Sequence, residues 1–182
     1  MHDLPVTADQ LITIGVFEGF SWIRCEGKGS FLNSPTMKSF GDQRIASGEQ
    51  VLVVDLAACT GMDSTFMGTL AGMASRLAAV EGGVLQIAEA CDRNRRSLED
   101  LGLDFLMQID PPEAKWRGQL DRIRAELKLA DAGQSMEQKQ RSRLVLQAHE
   151  VLSGVSEKNA REFANVVGML KEQLADGPKR EP

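Results

Sequence analysis

At 182 residues the chain has room for one globular domain and an appendage, with 42% apolar residues for a core and 26% charged residues for a solvated surface. A net charge of -5 argues against nucleic acid as a partner, because phosphate contacts need a basic face. No apolar run approaches the length of a bilayer span, so no integral membrane segment is expected. MHDLPVTADQ has no basic n-region followed by an apolar h-region, which predicts no signal peptide. The three cysteines, Cys25, Cys59 and Cys91, are widely spaced and lack a CxxC pair. They fit buried thiols in a reducing cytoplasm better than a disulfide framework or a zinc site.

Leu11–Phe17 and Phe20–Glu26 are rich in β-branched and aromatic residues and are separated only by Glu18-Gly19. This predicts a β-hairpin with Gly19 supplying the turn conformation. Ser34 can cap a following helix with Pro35 at its first position; Met37, Phe40 and Arg44/Ile45 fall at helical spacing, and Gly48 ends it. Val51–Leu56 shows no polar alternation and predicts a central strand buried on both faces. Phe66, Leu70, Met73, Leu77 and Val80 then recur in steps of four and three, one stripe of an amphipathic helix that Gly82-Gly83 stop. Val84–Ala90 reads as a second buried strand. Asp92 can cap a short helix running to Leu101, and Phe105–Ile109 is a brief last strand ended by Pro111-Pro112. The order is β-β-α-β-α-β-α-β. Its strand–helix–strand units call for right-handed crossovers and parallel pairing beside an antiparallel opening hairpin.

From Glu113 the chain reads as wholly helical. Trp116, Leu120, Ile123, Leu127 and Ala130 form a stripe that predicts a final helix docked on the sheet, interrupted by Asp131-Ala132-Gly133. The pattern resumes between Met136 and Leu174 through Leu144, Ala148, Val151, Val155, Phe163, Val166 and Leu170. Gly154 and Gly168 each weaken a single helix by roughly 1 kcal/mol relative to Ala. One long helix and a hairpin bending at Gly154–Ser156, with Ser156 as cap, are both open. The expected organisation is a domain over residues 1–131, a helical extension over 132–176 and a disordered tail over 177–182. The stripe must bury itself on its own sheet domain or on a second chain, as a homodimer.

Catalytic constellations are mostly missing. His2 lies in the terminus and His149 in the extension, neither placed beside a nucleophile by the sequence, so Ser/His/Asp or Cys/His chemistry has little to stand on. No His/Cys/Asp cluster has ligand spacing. Glu26–Ser30, EGKGS, lacks the spacing of a phosphate loop. Cys59 and Cys91 read as small apolar filler, and Arg93, Arg95 and Arg96 as solvated charge or a contact for an acidic partner. An enzyme is therefore not expected, nor is a metal or cofactor.

GMDSTFMGTL, Gly61 to Leu70, sets an acid and two hydroxyls where a buried strand gives way to a helix. Asp63 or Ser64 can accept hydrogen bonds from the first free N–H groups of that helix. The same positive helix end also stabilises a phosphate, so a serine here can be modified without melting the fold.

With the strand before it, VLVVDL–AACTG–MDSTFMGTLAGM resembles the STAS domain of bacterial anti-sigma factor antagonists. Asp55-Leu56 match the family's strand end, and Met62-Asp63-Ser64-Thr65 match its Asp-Ser-Ser/Thr motif. The chain departs from the pattern at Phe66, where the family often has Gly, and in GKGSFLNSP, which lacks the common Gly-x-Leu/Ile-Asp. The resemblance implies an α/β fold, a STAS-like mixed β-sheet in β-β-α-β-α-β-α-β-α order, followed by an all-helical C-terminal extension. It implies phosphorylation of Ser64, with Thr65 as the alternative acceptor, by an anti-sigma factor serine kinase, and reversal by a PP2C-type phosphatase. The implied partner surface is Asp63, Ser64, Thr65, Phe66 and Met67. A constitutive STAS scaffold that uses its C-terminal helices, or a peripheral subunit beside a membrane transporter, is the alternative.

Overall fold

The computed structural model of the chain describes residues 10–133 and 135–176. The expectations for the N-terminal leader and for a disordered tail after residue 176 lie outside the described residues.

Strands β1 (Gln10–Phe17) and β2 (Phe20–Gly29) pair antiparallel across Glu18-Gly19, and Gly19 takes the positive φ of 87° that the tight turn needs. Helix α1 (Ser34–Ala46) leads to β3 (Val51–Asp55), and β4 (Cys59–Met62) leads to α2 (Ser64–Ala78). Then follow β5 (Val84–Ala88), α3 (Asp92–Asp100), a single 3-10 turn, β6 (Gln108–Ile109), α4 (Leu120–Ala125) and β7 (Lys128–Leu129). Two longer helices, α5 (Gln138–Val155) and α6 (Glu157–Ala175), complete the described chain. The sheet order is β6-β5-β3-β2-β1-β7, and β2, β3, β5 and β6 run parallel as the crossover units require. The expected order of elements holds, with two short strands added to it.

Alternation along the strands divides the interior in two. Ile23, Cys25, Leu52, Val54, Leu85 and Ile87 belong to the larger core under α1, α2 and α3. Phe20, Trp22, Val53 and Ala88 face the other way, against Trp116 and Ile123. The Trp22 and Trp116 rings meet edge-on at 5.7 Å, and Trp116 Nε1 donates to Gln86 at 2.9 Å. Leu52, Val53 and Val54 are wholly buried, as the unbroken run predicted for a central strand.

Four expectations need correcting. The stripe from Trp116 to Ala130 is not one helix: Gly118 at φ 80° breaks it, α4 spans only Leu120–Ala125, and Ala130 joins the larger core just after β7, where its N–H donates to the Ile12 carbonyl. Trp116, Ile123 and Ala130 are buried and Leu120 and Leu127 half-buried, from a turn, a short helix and the chain on either side of a short strand. The strand expected over Phe105–Ile109 shrinks to Gln108–Ile109, because Phe105 ends a 3-10 turn with its ring 89% exposed. Ser34 is the first residue of α1 and not its cap; Asn33 precedes it, and the Ser34 hydroxyl donates to the Ser30 carbonyl at 2.6 Å. Asp92 likewise opens α3 from inside, after Cys91.

The two open readings of the extension resolve to a hairpin. Helix α5 ends at Val155, and Ser156 in extended conformation caps α6 by accepting from Asn159 N–H at 3.1 Å. The stripe buries itself within the chain: Leu152 and Phe163 join the larger core, and Leu144, Ala148 and Leu170 are buried with them. Among the described residues no helix is long and apolar enough to cross a membrane.

Candidate functional site

The site is built where β2 and β4 end together. After β3 the chain turns through Leu56, and β4 pairs parallel with β2 at Gly27–Gly29, in line with the place that β3 fills beside Ser21–Arg24. The Asp63 N–H then donates to the Gly29 carbonyl at 2.9 Å, which fixes the start of α2 against the end of β2. Gly29 is required there, since a Cβ would stand 2.8 Å from the Phe66 ring.

Asp63 has extended backbone and is the cap of α2, one of the two expected candidates. One carboxylate oxygen accepts from Phe66 N–H at 2.8 Å, as a helix cap does. The other accepts from Phe31 N–H at 2.9 Å and so ties down the loop between β2 and α1. Phe31 and Leu32 on that loop are 44% and 57% exposed, an apolar tip held beside the helix start. Nothing in the one-dimensional pattern linked Phe31 to Asp63, which are 32 residues apart.

The sequence-selected residues divide by burial. Asp63 and Ser64 are half-buried, whereas Thr65, Phe66 and Met67 are buried. The Phe66 ring belongs to the larger core and packs over Gly29.

The Ser64 hydroxyl lies 2.8 Å from Nε2 of His149 on α5. Nδ1 of the same ring is 2.7 Å from the Val145 carbonyl. A carbonyl only accepts, so Nδ1 carries a proton, and Nε2 is the ring atom that faces the Ser64 hydroxyl. His149 is buried, with the Phe163 ring edge-on to it at 5.3 Å. The sequence reading placed no histidine beside a nucleophile, and that is overturned, because the fold brings α5 back over 85 residues of chain onto the start of α2. A polar ring within the apolar stripe of Leu144, Ala148 and Leu152 was the available signal.

Helix α5 approaches α2 closely along Gly68 and Gly72. A Cβ at Gly68 would lie 2.4 Å from the Ala148 carbonyl oxygen, and one at Gly72 would lie 3.8 Å from Val151. The far end of the hairpin is anchored by Asn159, whose amide donates to the Leu101 carbonyl at 2.9 Å.

On the opposite face of the sheet, buried Asp55 accepts from Arg24 at 2.8 Å and from Arg124 at 3.0 Å, and Arg124 also pairs with Glu89. Burial works to raise the Asp55 pKa, but bonds from Arg124, Ala57 N–H and Arg24 outweigh it and hold the carboxyl below its usual range. Here the aspartate that the family match places at a strand end locks α4 to the sheet. Of the three arginines, Arg95 pairs with Asp110 at 3.3 Å, and the Arg93 guanidinium lies beside Gly61, 3.9 Å from where a Cβ would stand.

A family model described as the STAS domain matches residues 12–115, over half of the chain. An anti-sigma factor antagonist from Mycobacterium paratuberculosis has a similar structure: 21% identity, 65% of this chain and 97% of that one covered, TM-score 0.51. A Thermotoga maritima protein aligns at 14% identity over 62% of this chain and 94% of its own, also with TM-score 0.51. The anti-sigma factor antagonist SpoIIAA of Bacillus, in its unphosphorylated form, is 17% identical over 62% of this chain and 97% of its own, with TM-score 0.48. At these identities the likeness is one of fold. No curated protein matches the chain.

Proposed function

The chain belongs to the STAS domain family, and from that premise we propose that it is an anti-sigma factor antagonist switched by phosphorylation. It binds a serine-kinase anti-sigma factor while Ser64 is unmodified and releases it once Ser64 is phosphorylated; a PP2C-type phosphatase resets the cycle. The chain acts by binding and not by catalysis, and the kinase brings its own ATP and magnesium. The role belongs in the cytoplasm. The proposed surface is Asp63 and Ser64 with the helix start at Thr65, Phe66 and Met67 behind them.

The observation that carries this reading is the position of Ser64. It is the first residue of α2, directly after a capping Asp63 that also holds the exposed Phe31–Leu32 tip. A helix N-terminus tolerates an added phosphate, and about two negative charges beside an apolar tip oppose a partner that docks there. A change of a few kcal/mol in binding follows, each ~1.4 kcal/mol being tenfold in affinity.

Phosphopeptide mass spectrometry across Cys59–Arg76, on protein recovered from its native host before and after stress, tests the switch. Phosphate on Ser64 is expected; phosphate on Thr65 moves the acceptor by one residue, and no phosphate under any condition overturns it. With the kinase in hand, Ser64→Ala should bind and resist switching while Ser64→Asp binds poorly.

One observation favours a second reading, a constitutive scaffold. The Ser64 hydroxyl is already engaged by His149, as a purely structural serine would be. Absence of phosphate together with equal binding by both variants would select it.

A further inference from the structure

The extension does not hang from the domain; it sits on the residues proposed as the switch. The His149 ring occupies the space in front of the Ser64 hydroxyl at 2.8 Å, braced behind by Val145 and Phe163. Four residues into α2, the backbones of α2 and α5 approach so closely that only Gly68 fits. One turn further, Gly72 faces Val151. These are three successive contacts along one face of α2, all made by α5.

From them we infer that the α5–α6 hairpin is a cis-acting lid, whose docking excludes both a phosphoryl group on Ser64 and a partner on this face of α2. A phosphorus bonded to the Ser64 oxygen carries three further oxygens, and the hydrogen-bonded imidazole fills the place they need. A partner helix or loop needs the face that α5 covers. The hairpin must therefore swing off before either event, and each event in turn favours the open form, since coupling between two equilibria is reciprocal. The phosphate half of this inference rests on the proposed switch; the docking half stands on the helix contacts alone.

The test uses the full chain and hydrogen exchange of backbone amides. Gly68→Ala adds the one carbon that α5 cannot accommodate, while Ala is the better helix former, so α2 itself is not weakened. The α5 amides from Leu144 to Leu152 should exchange about tenfold faster or more, with β3 and β5 still protected. Unchanged protection in α5 would overturn the lid, and so would loss of protection across the sheet, which would make the hairpin part of the indivisible core. Ser64→Glu, an anion placed against His149, should open α5 in the same way; retained protection counts against the exclusion of phosphate. Phosphopeptide mapping separates the two ideas. A lid that opens in both variants of a chain never phosphorylated keeps the lid and removes the switch. Phosphate on Ser64 with α5 immovable in both variants keeps the switch and removes the lid.

Discussion

Asp55 carries its charge through complete burial because two guanidiniums surround it. Its carboxyl is held below the usual aspartate range, so its stabilising effect is fully present above the unfolded pKa and drains away as pH falls through the folded one. Acid titration of stability should therefore show a loss below about pH 4 that is missing in Asp55→Asn, a variant expected to cost about 3 kcal/mol at neutral pH. An unchanged acid limb in the variant would assign that loss to other carboxylates. Asp63 works at two places at once, capping α2 and holding Phe31, so Asp63→Ala should lower unfolding free energy by about 2 kcal/mol in denaturant melts. The thiols differ by location. Hydrogen bonding with Cys25 draws the Cys59 pKa down to about 7 against its burial, helped by Gly61, Gly29 and Asn94, while the same contact and burial push Cys25 up. Reach still decides reactivity: Cys91, expected to be buried like the other two, is exposed and should label within the mixing time, with Cys25 and Cys59 reacting only as the chain unfolds. Native-state labelling of Cys59 as fast as Cys91 would refute that order.

Elements were legible where their own pattern decided them. The opening hairpin, β3, α2 and β5 each follow from a local rule, a turn glycine, a run without alternation or a 3.6-residue stripe, and each stands within a few residues of its expected bounds. Elements that depend on a distant neighbour were not legible. Cys59–Met62 becomes β4 only because β2 runs past the end of β3 and offers free backbone groups at Gly27–Gly29. Lys128–Leu129 becomes β7 because the edge of β1 away from β2 is open to it at Thr13 and Ile14. The candidate site divides in the same way: Asp63 and Ser64 were readable as a helix start, while Phe31 and His149 reach them only through the tertiary fold. Within the extension the break was one of two open readings, the one that Ser156 as a good cap favoured. Ser156→Ala should cost about 1 kcal/mol and raise amide exchange in the first turn of α6. An effect confined to α5 would place the hinge elsewhere.

Across the molecule, α2 is covered on one side by the sheet core and on the other by α5, so its residues from Thr65 to Ala71 are all buried. A chain ending at residue 131 should consequently self-associate in light scattering where the full chain is monomeric, because the apolar side of α2 loses its cover. Monomers of both lengths would mean that the uncovered face is tolerated by water. The sheet itself has little to offer another molecule. Among the described residues its path begins with β6 and ends with β7, each only two residues long. Rims that short present too few unpaired backbone groups for an incoming strand to zip onto, the usual guard against fibrous stacking. Strand addition thus finds little footing at these two ends, and a partner that reads side chains on helices and loops meets a surface where a single hydroxyl or one added methyl can change the answer.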